Sequence, residues 1–302
     1  MQPPRLRSAP GPRALTKLDV LAVVGTLLIL GTIFVVMFPF ARNHQLSPRM
    51  ICMSNLKGMG TSFYTYGNEN NDMWPVCAPI KAVDDGKLRV TYAPNLIGKN
   101  RDVPDDTLIA RASGGELKTS VTRNLWALVR MQIAPPQLFI CPASNDTANN
   151  DSNPLQHWDF SKWSEVSYGY QVPFGKPGRP SSDRDQRMVL AADKGPFSAA
   201  LEAGKPNPGP PTAAENDPSD KWSAWNSHNH GGEGQNVLYA GGSADWQSKP
   251  VCGLGYDNIY TRWSDATGGA TTAGDNPPIR VHGTPPTGTE TPMSDTDSLI
   301  YP

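Results

Sequence analysis

Among the 302 residues of this chain, the densest group of side chains able to do chemistry is His228, His230 and Glu233. Imidazole and carboxylate are together ligands for zinc and similar ions. The surrounding segment is rich in glycine, and it lacks the i, i+4 histidine pair that H-E-x-x-H enzymes carry on one helix face. A structural role is expected instead, with these side chains bonding loop backbone ahead of a hairpin, and no resident metal. Hard oxygen ligands for calcium could come from Asp245, Asp257 and Asn258 with the asparagine-rich residues 68–72, but no twelve-residue EF-hand loop is present. Surface turns are the simpler reading.

No G-x-S-x-G turn, Walker phosphate loop or glycine fingerprint following a strand occurs, so no catalytic residue is assigned and the chain is not expected to be an enzyme. Trp158, Trp163, Trp222, Trp225, Trp246 and Trp263 offer flat faces suited to carbohydrate, although core packing is expected of most of them. The four cysteines, Cys52, Cys77, Cys141 and Cys252, show neither a CxxC pair nor zinc-ligand spacing. Their even number fits disulfides in an oxidising compartment, and buried free thiols are the alternative. Three pairings are open; Cys52 with Cys141 is the first choice, because both fall on elements expected to pack. A net charge of −1, with both signs interspersed, offers no electrostatic footprint for nucleic acid.

The elements that would position these residues follow from pattern. With 30 prolines and 28 glycines, much of the chain should be loop around one moderate domain. Ser47-Pro48 has N-cap and first-turn character, and Cys52, Leu56, Met59, Phe63 and Tyr66 then recur at spacings of four and three, the stripe of a helix packed on its own sheet. A short helix is expected from Thr119 or Ser120 to about Met131, with Leu125, Leu128 and Val129 inward. Strands are expected at 89–92, 138–141, 167–172, 188–192, 235–239 and 243–246, the last two joined through Gly241-Gly242 at positive φ. Residues 93–116 and 204–220 read as loops, and 264–302 as a Pro/Thr/Gly-rich tail, mobile or decorating the surface.

Residues 20–40 carry no charge and at the helical rise reach about 30 Å, the thickness of a bilayer's hydrocarbon core. Arg5, Arg7, Arg13 and Lys17 precede them with no acidic residue among these four, which places residues 1 to about 17 in the cytoplasm and the bulk on the extracytoplasmic side of the inner membrane, as a single-pass protein. The rival is a cleaved signal peptide; the apolar run exceeds the usual h-region, and Pro39-Phe40-Ala41-Arg42 is a poor cleavage site.

The run from Arg13 through Ala14, Leu15, Thr16, Lys17, Leu18 and Asp19 to Leu21 resembles the leader of type IV pilins and type II secretion pseudopilins. That resemblance implies cleavage by prepilin peptidase between Ala14 and Leu15, methylation of Leu15, and an assembly role for Asp19 at mature position five. Ala14 and Asp19 stand where the family usually has Gly and Glu, and Lys17 interrupts the apolar start. Residues 52–60 (CMSNLKGMG), 66–75 (YGNENNDMWP) and 139–142 (FICP) resemble the pilin-like proteins abundant in Planctomycetes. Residues 228–242 are similar to that group's His-to-Asp-Gly signature, with Gly241 where Asp is usual.

The implied fold is α+β: a long N-terminal transmembrane helix packed on a predominantly antiparallel, β-rich pilin-like domain with long loops. Its divisions are a leader at 1–14, a helix at 15–66, an exported domain at 67–263 and the tail at 264–302. The implied function is that of a structural subunit of a pilus-like filament or secretion pseudopilus. Its expected partners are prepilin peptidase, copies of itself or other pilins, and membrane lipid, with no cofactor unless calcium. The alternative is a membrane-tethered extracytoplasmic binding module that does not polymerise. Asp19 would meet the α-amino group of a neighbouring subunit; within its own chain, Lys17 and the helix dipole are the available partners.

Overall fold

Cys52, Leu56, Met59 and Phe63 are fully buried along one face of a helix, α2, Pro48–Glu69, in the computed structural model of the chain. That model describes residues 16–42, 47–77, 88–112, 115–175, 181–197, 207–264 and 279–302. Pro48 opens α2, where a missing N–H costs nothing, and Ser47 precedes it as N-cap without a side-chain capping bond. The helix ends where Asn71 and Asp72 turn to φ values of 54° and 59°, a region that these two residue types tolerate better than most.

The buried face of α2 rests on a five-stranded antiparallel sheet. Its strands are β3 (Tyr168–Gln171), β4 (Val189–Asp193), β5 (Gln235–Tyr239), β6 (Ala244–Gln247) and β9 (Ile300–Tyr301), in the order β6-β5-β4-β3-β9. Phe63 stacks on Tyr170 at 5.3 Å between centroids, and the Tyr64 hydroxyl donates to the Ala240 carbonyl at 2.5 Å. A second core of Val189, Val237, Ile259, Tyr260 and Ile300 covers other side chains of the same strands. With both faces covered, β3 and β4 are buried at every position and show no alternation of polar and apolar residues. The β5–β6 hairpin turns through Gly242 at φ 83°; Gly241 keeps an ordinary φ.

Two small sheets complete the domain. β1 (Arg89–Tyr92) pairs in parallel with β2 (Glu116–Thr119), the chain between them carrying the short helix α3 (Asp105–Arg111). β7 (Arg262–Ser264) pairs antiparallel with β8 (Ile279–Thr284). Helix α4 (Arg123–Arg130) buries Leu125, Leu128 and Val129, and the Ser120 hydroxyl accepts from the Arg123 N–H at 3.1 Å at its start. The Arg123 guanidinium, itself buried, donates to Asp105 at 2.6 Å and ties α4 to α3.

Several sequence expectations are corrected here. The fold is mixed α/β, with antiparallel sheets accompanied by one parallel pair, and not a predominantly antiparallel β-rich domain on a transmembrane helix. Among the described residues no helix is long and apolar enough to cross a membrane. Residues 17–42 do form a helix, α1 (Lys17–Arg42), in a unit of its own, Met1–Leu46, and the other elements belong to a second unit, Ser47–Pro302. Residues 138–141 are not a strand: Pro135 and Pro136 start a 3-10 turn, Pro136–Phe139, by fixing φ. The expected loop at 93–116 contains α3, whose Asp105 and Asp106 in the first turn and Arg111 in the last complement the helix dipole.

The C-terminal segment is the largest correction of all. Residues 297–301 are buried, β9 pairs with β3, and the Leu299 N–H donates to Gln171 Oε1 at 2.8 Å. Three consecutive apolar residues, Leu299, Ile300 and Tyr301, suffice to add an edge strand, and the composition of the preceding segment hides them.

Closing this end of the sheet buries two acids. Asp257 accepts from Trp263 Nε1 and the Ser298 N–H, each at 2.7 Å, while Asp297 accepts from the Met293 N–H at 2.6 Å. Burial pushes Asp297 up to about 7. Burial, reinforced by the negative charge of Asp297, holds Asp257 well above the usual carboxylate range. The folded chain therefore keeps protons that the unfolded chain releases above about pH 4. The stability contributed by this pair is complete below that point and is lost as pH rises through about 7. Urea midpoints should accordingly fall between about pH 5 and about pH 8, and Asp297→Asn should flatten the fall. A decline of equal depth in the variant would contradict the assignment.

Candidate functional site

Four chain segments meet beneath the N-terminal half of α2. Cys52 comes from α2, Cys141 follows the Pro136–Phe139 turn, Asp193 ends β4, and His230 ends a 3-10 turn, His228–His230. Cys52 and Cys141 form a disulfide with their Cα atoms 5.1 Å apart. His230 Nε2 lies 3.5 Å from Cys141 Sγ, 3.3 Å from Asp193 Oδ2 and 3.2 Å from Asn236 Nδ2. The side chain of Asp193 is fully buried and that of His230 is 4% exposed.

Local sequence accounts for each placement. Ser227 caps the turn before His230, its hydroxyl accepting from the Asn229 N–H at 3.2 Å, and Gly231 ends the turn at φ 69°. Asn229 then points inward, donating to Asp193 Oδ1 at 3.0 Å and to the Ser167 carbonyl at 2.7 Å. The Asn236 N–H, at the start of β5, donates to Asp193 Oδ2 at 2.6 Å. Both carboxylate oxygens are thus held by neutral donors. The His230 ring meets Trp246 of β6 edge to face at 5.1 Å, and the Arg49 guanidinium lies 4.0 Å over the same indole while pairing with Glu233. Ser47, Arg49, Ala143, His230 and Glu233 line a cavity of about 420 Å³ at the edge of the cluster.

The expected group of His228, His230 and Glu233 is therefore divided. His230 joins the two cysteines, Glu233 turns outward to Arg49, and His228 is not among the converging ligand atoms. Sequence reasoning missed Asp193; the available signal was an acid closing an otherwise apolar strand, Val-Leu-Ala-Ala-Asp. Among the described residues, the set that brings three or more metal-capable groups together is Cys52, Cys141, Asp193 and His230, with ligand atoms within 4.8 Å of one another. The oxygens considered for calcium do not converge. Asp257 and Asn258 are buried in separate hydrogen bonds, Asp245 is exposed on β6, and residues 68–72 close α2.

Four of the six tryptophans hold cations of the protein itself: Arg130 over Trp158, Lys194 over Trp163, Arg49 over Trp246 and Arg280 over Trp263. Trp222 is buried against Trp225. Cys77 and Cys252 are free thiols; burial pushes Cys77 up to about 12 and Cys252 higher still, so both stay protonated and unreactive.

Ala14 and Leu15 lie outside the described residues. Asp19 makes a reciprocal cap at the start of α1: its carboxylate accepts from the Thr16 N–H at 2.9 Å and hydroxyl at 2.7 Å, and its own N–H donates back to Thr16 Oγ1 at 3.3 Å. The partner within the chain is Thr16 and not Lys17. Hydrogen bonds from Thr16 hold the Asp19 carboxyl below the usual range.

In comparisons with known proteins, no family model matches this chain, and neither a curated protein nor a solved structure matches it.

The geometry separates the two histidines. His230→Ala should destabilise the domain by about 1–3 kcal/mol, since it empties a packed position against Trp246 and Asp193. His228→Ala should cost less than about 1 kcal/mol. Denaturation curves of the two variants test the order, and a larger loss for His228→Ala would contradict it.

Proposed function

We propose that the chain is a structural, non-catalytic subunit of a type IV pilus-like filament or type II secretion pseudopilus, matured by prepilin peptidase between Ala14 and Leu15. The observation that carries this reading is the surface of α1. Leu18, Leu21, Leu27, Leu28, Ile29, Leu30 and Ile33 are all more than half exposed, on every side of the helix. A helix apolar all round is stable only when something covers it, and the helices of neighbouring subunits are a cover of matching shape and chemistry. The Cys52–Cys141 disulfide supports an extracytoplasmic site for the domain, where such bonds persist.

Asp19 fits this role. An acid at the head of an apolar helix needs a partner, and Thr16 supplies a neutral one that leaves the charge uncompensated. Cleavage before Leu15 creates a positive α-amino group four residues ahead of Asp19 in each subunit. Packing in a filament would bring the amine of one copy to the carboxylate of the next, in surroundings of low dielectric that strengthen the attraction.

Two measurements test the proposal. Intact mass of protein from its native host should show a chain beginning at Leu15; a retained Arg13 where the peptidase is active would count against processing. Asp19→Asn keeps an acceptor for the Thr16 cap and removes the charge, whereas Asp19→Ala removes both. Filament yield in sheared fractions should collapse in both variants. Normal assembly of Asp19→Asn would reduce the residue to a helix cap and favour a subunit that does not polymerise through it.

A further inference from the structure

The disulfide at the centre of the domain has neighbours that a purely structural crosslink does not require. A buried imidazole and a buried carboxylate stand beside its sulfurs, where apolar side chains of the same size would pack without a desolvation cost. Asn236 Oδ1, in the same cluster, is buried with no hydrogen-bond partner among the described residues. We infer that Cys52, Cys141, His230 and Asp193 form a four-ligand metal site that is closed by the disulfide and opened by its reduction. This goes beyond the filament role and does not depend on it.

The donor set is that of a tetrahedral zinc-like ion: two thiolates, one imidazole nitrogen and one carboxylate oxygen. All four ligand atoms already lie within 4.8 Å of one another. Zinc–sulfur bonds of about 2.3 Å place two thiolates roughly 3.8 Å apart in a tetrahedron. Cysteines with Cα atoms 5.1 Å apart reach that spacing by side-chain rotation alone.

The surroundings match what a metal needs of its outer shell. Asp193 is oriented by the Asn236 N–H and the Asn229 amide, and the His230 ring packs edge to face on Trp246. The cavity lined by Arg49, His230 and Glu233 borders the cluster at His230, with the Arg49–Glu233 ion pair at its rim. Neither Cys77 nor Cys252 has such a set of neighbours among the described residues.

The chemistry balances with a dithiol as reductant. The dithiol gives two electrons and two protons to the Cys52–Cys141 bond and closes to its own disulfide, leaving two protein thiols. A divalent ion then displaces both thiol protons to solvent and takes two thiolates, neutral His230 through Nε2 and one oxygen of Asp193. A small-molecule disulfide as oxidant reverses the sequence: it takes two electrons from the two thiolates and, with two protons from solvent, leaves as two thiols, while the Cys52–Cys141 bond re-forms and the ion is released.

The full chain, reduced with a dithiol and freed of it under argon, should bind one cobalt(II) ion with a sulfur-to-cobalt charge-transfer band and the strong ligand-field bands of a tetrahedral site. Zinc should bleach both. The oxidised chain should show neither band, His230→Gln should weaken binding at least about tenfold, and a Cys77→Ser, Cys252→Ser double variant should bind as the parent does. Zinc should also raise the melting temperature of the reduced chain and leave that of the oxidised chain unchanged. If the reduced chain melts on its own, zinc present during reduction must restore the fold. Absence of cobalt binding, cobalt bound without the thiolate band, equal binding by oxidised and reduced chains, unchanged affinity in His230→Gln, loss of binding in the double variant, or failure of zinc to restore a melted reduced chain would each overturn the site.

Discussion

The domain depends on a covalent constraint between its first helix and its middle. Cys52 sits on the buried stripe of α2, and Cys141 follows a proline-initiated turn 89 residues later. Joining them closes a long loop, which by the chain-entropy argument stabilises the fold by about 2–4 kcal/mol. The bond also fixes the depth of α2 over the sheet, so that Leu56, Met59 and Phe63 meet β5, β6 and Tyr170 in one register.

Around that crosslink the chain spends polar groups where most cores are apolar. Asp193, Asn229, Asn236 and His230 form a connected network that leaves Asn236 Oδ1 without a partner among the described residues. Such networks specify a unique arrangement when satisfied and are costly when one member is missing. This one ties the end of β4 to the turn before β5, and it thereby positions the β5–β6 hairpin under α2. The crosslink and the network are one device, since Cys141 Sγ and Asp193 Oδ2 face the same nitrogen of His230.

Local features of the fold could be read from sequence because their causes are local. The spacing of Cys52, Leu56, Met59 and Phe63 is a helix stripe wherever it occurs, and the glycine-linked runs at 235–239 and 243–246 pair with no distant information. The edge strand β9 could not be read that way, because it exists through pairing with β3 across more than a hundred residues, and its composition resembles a tail. Residues 138–141 misled through their apolar content while Pro135 and Pro136 decided the geometry. The site was half legible for the same reason. His230 was visible within its glycine-rich segment, but its separation from Glu233 and its meeting with Asp193 follow from the topology of four segments. The apolar run at 20–40 invited a membrane span, whereas among the described residues no helix is long and apolar enough for one.

The seating of α2, the polar network beneath it and the redox-gated metal site all depend on the Cys52–Cys141 bond, so the pairing of the cysteines is their most direct test. Protein isolated from its native host with thiols blocked at lysis can be digested without reductant and its peptides mapped by mass spectrometry. The account predicts one crosslinked pair containing Cys52 and Cys141, with Cys77 and Cys252 recovered as blocked free thiols. A crosslink from Cys52 or Cys141 to Cys77 or Cys252, or four free thiols in protein never exposed to reductant, would contradict it.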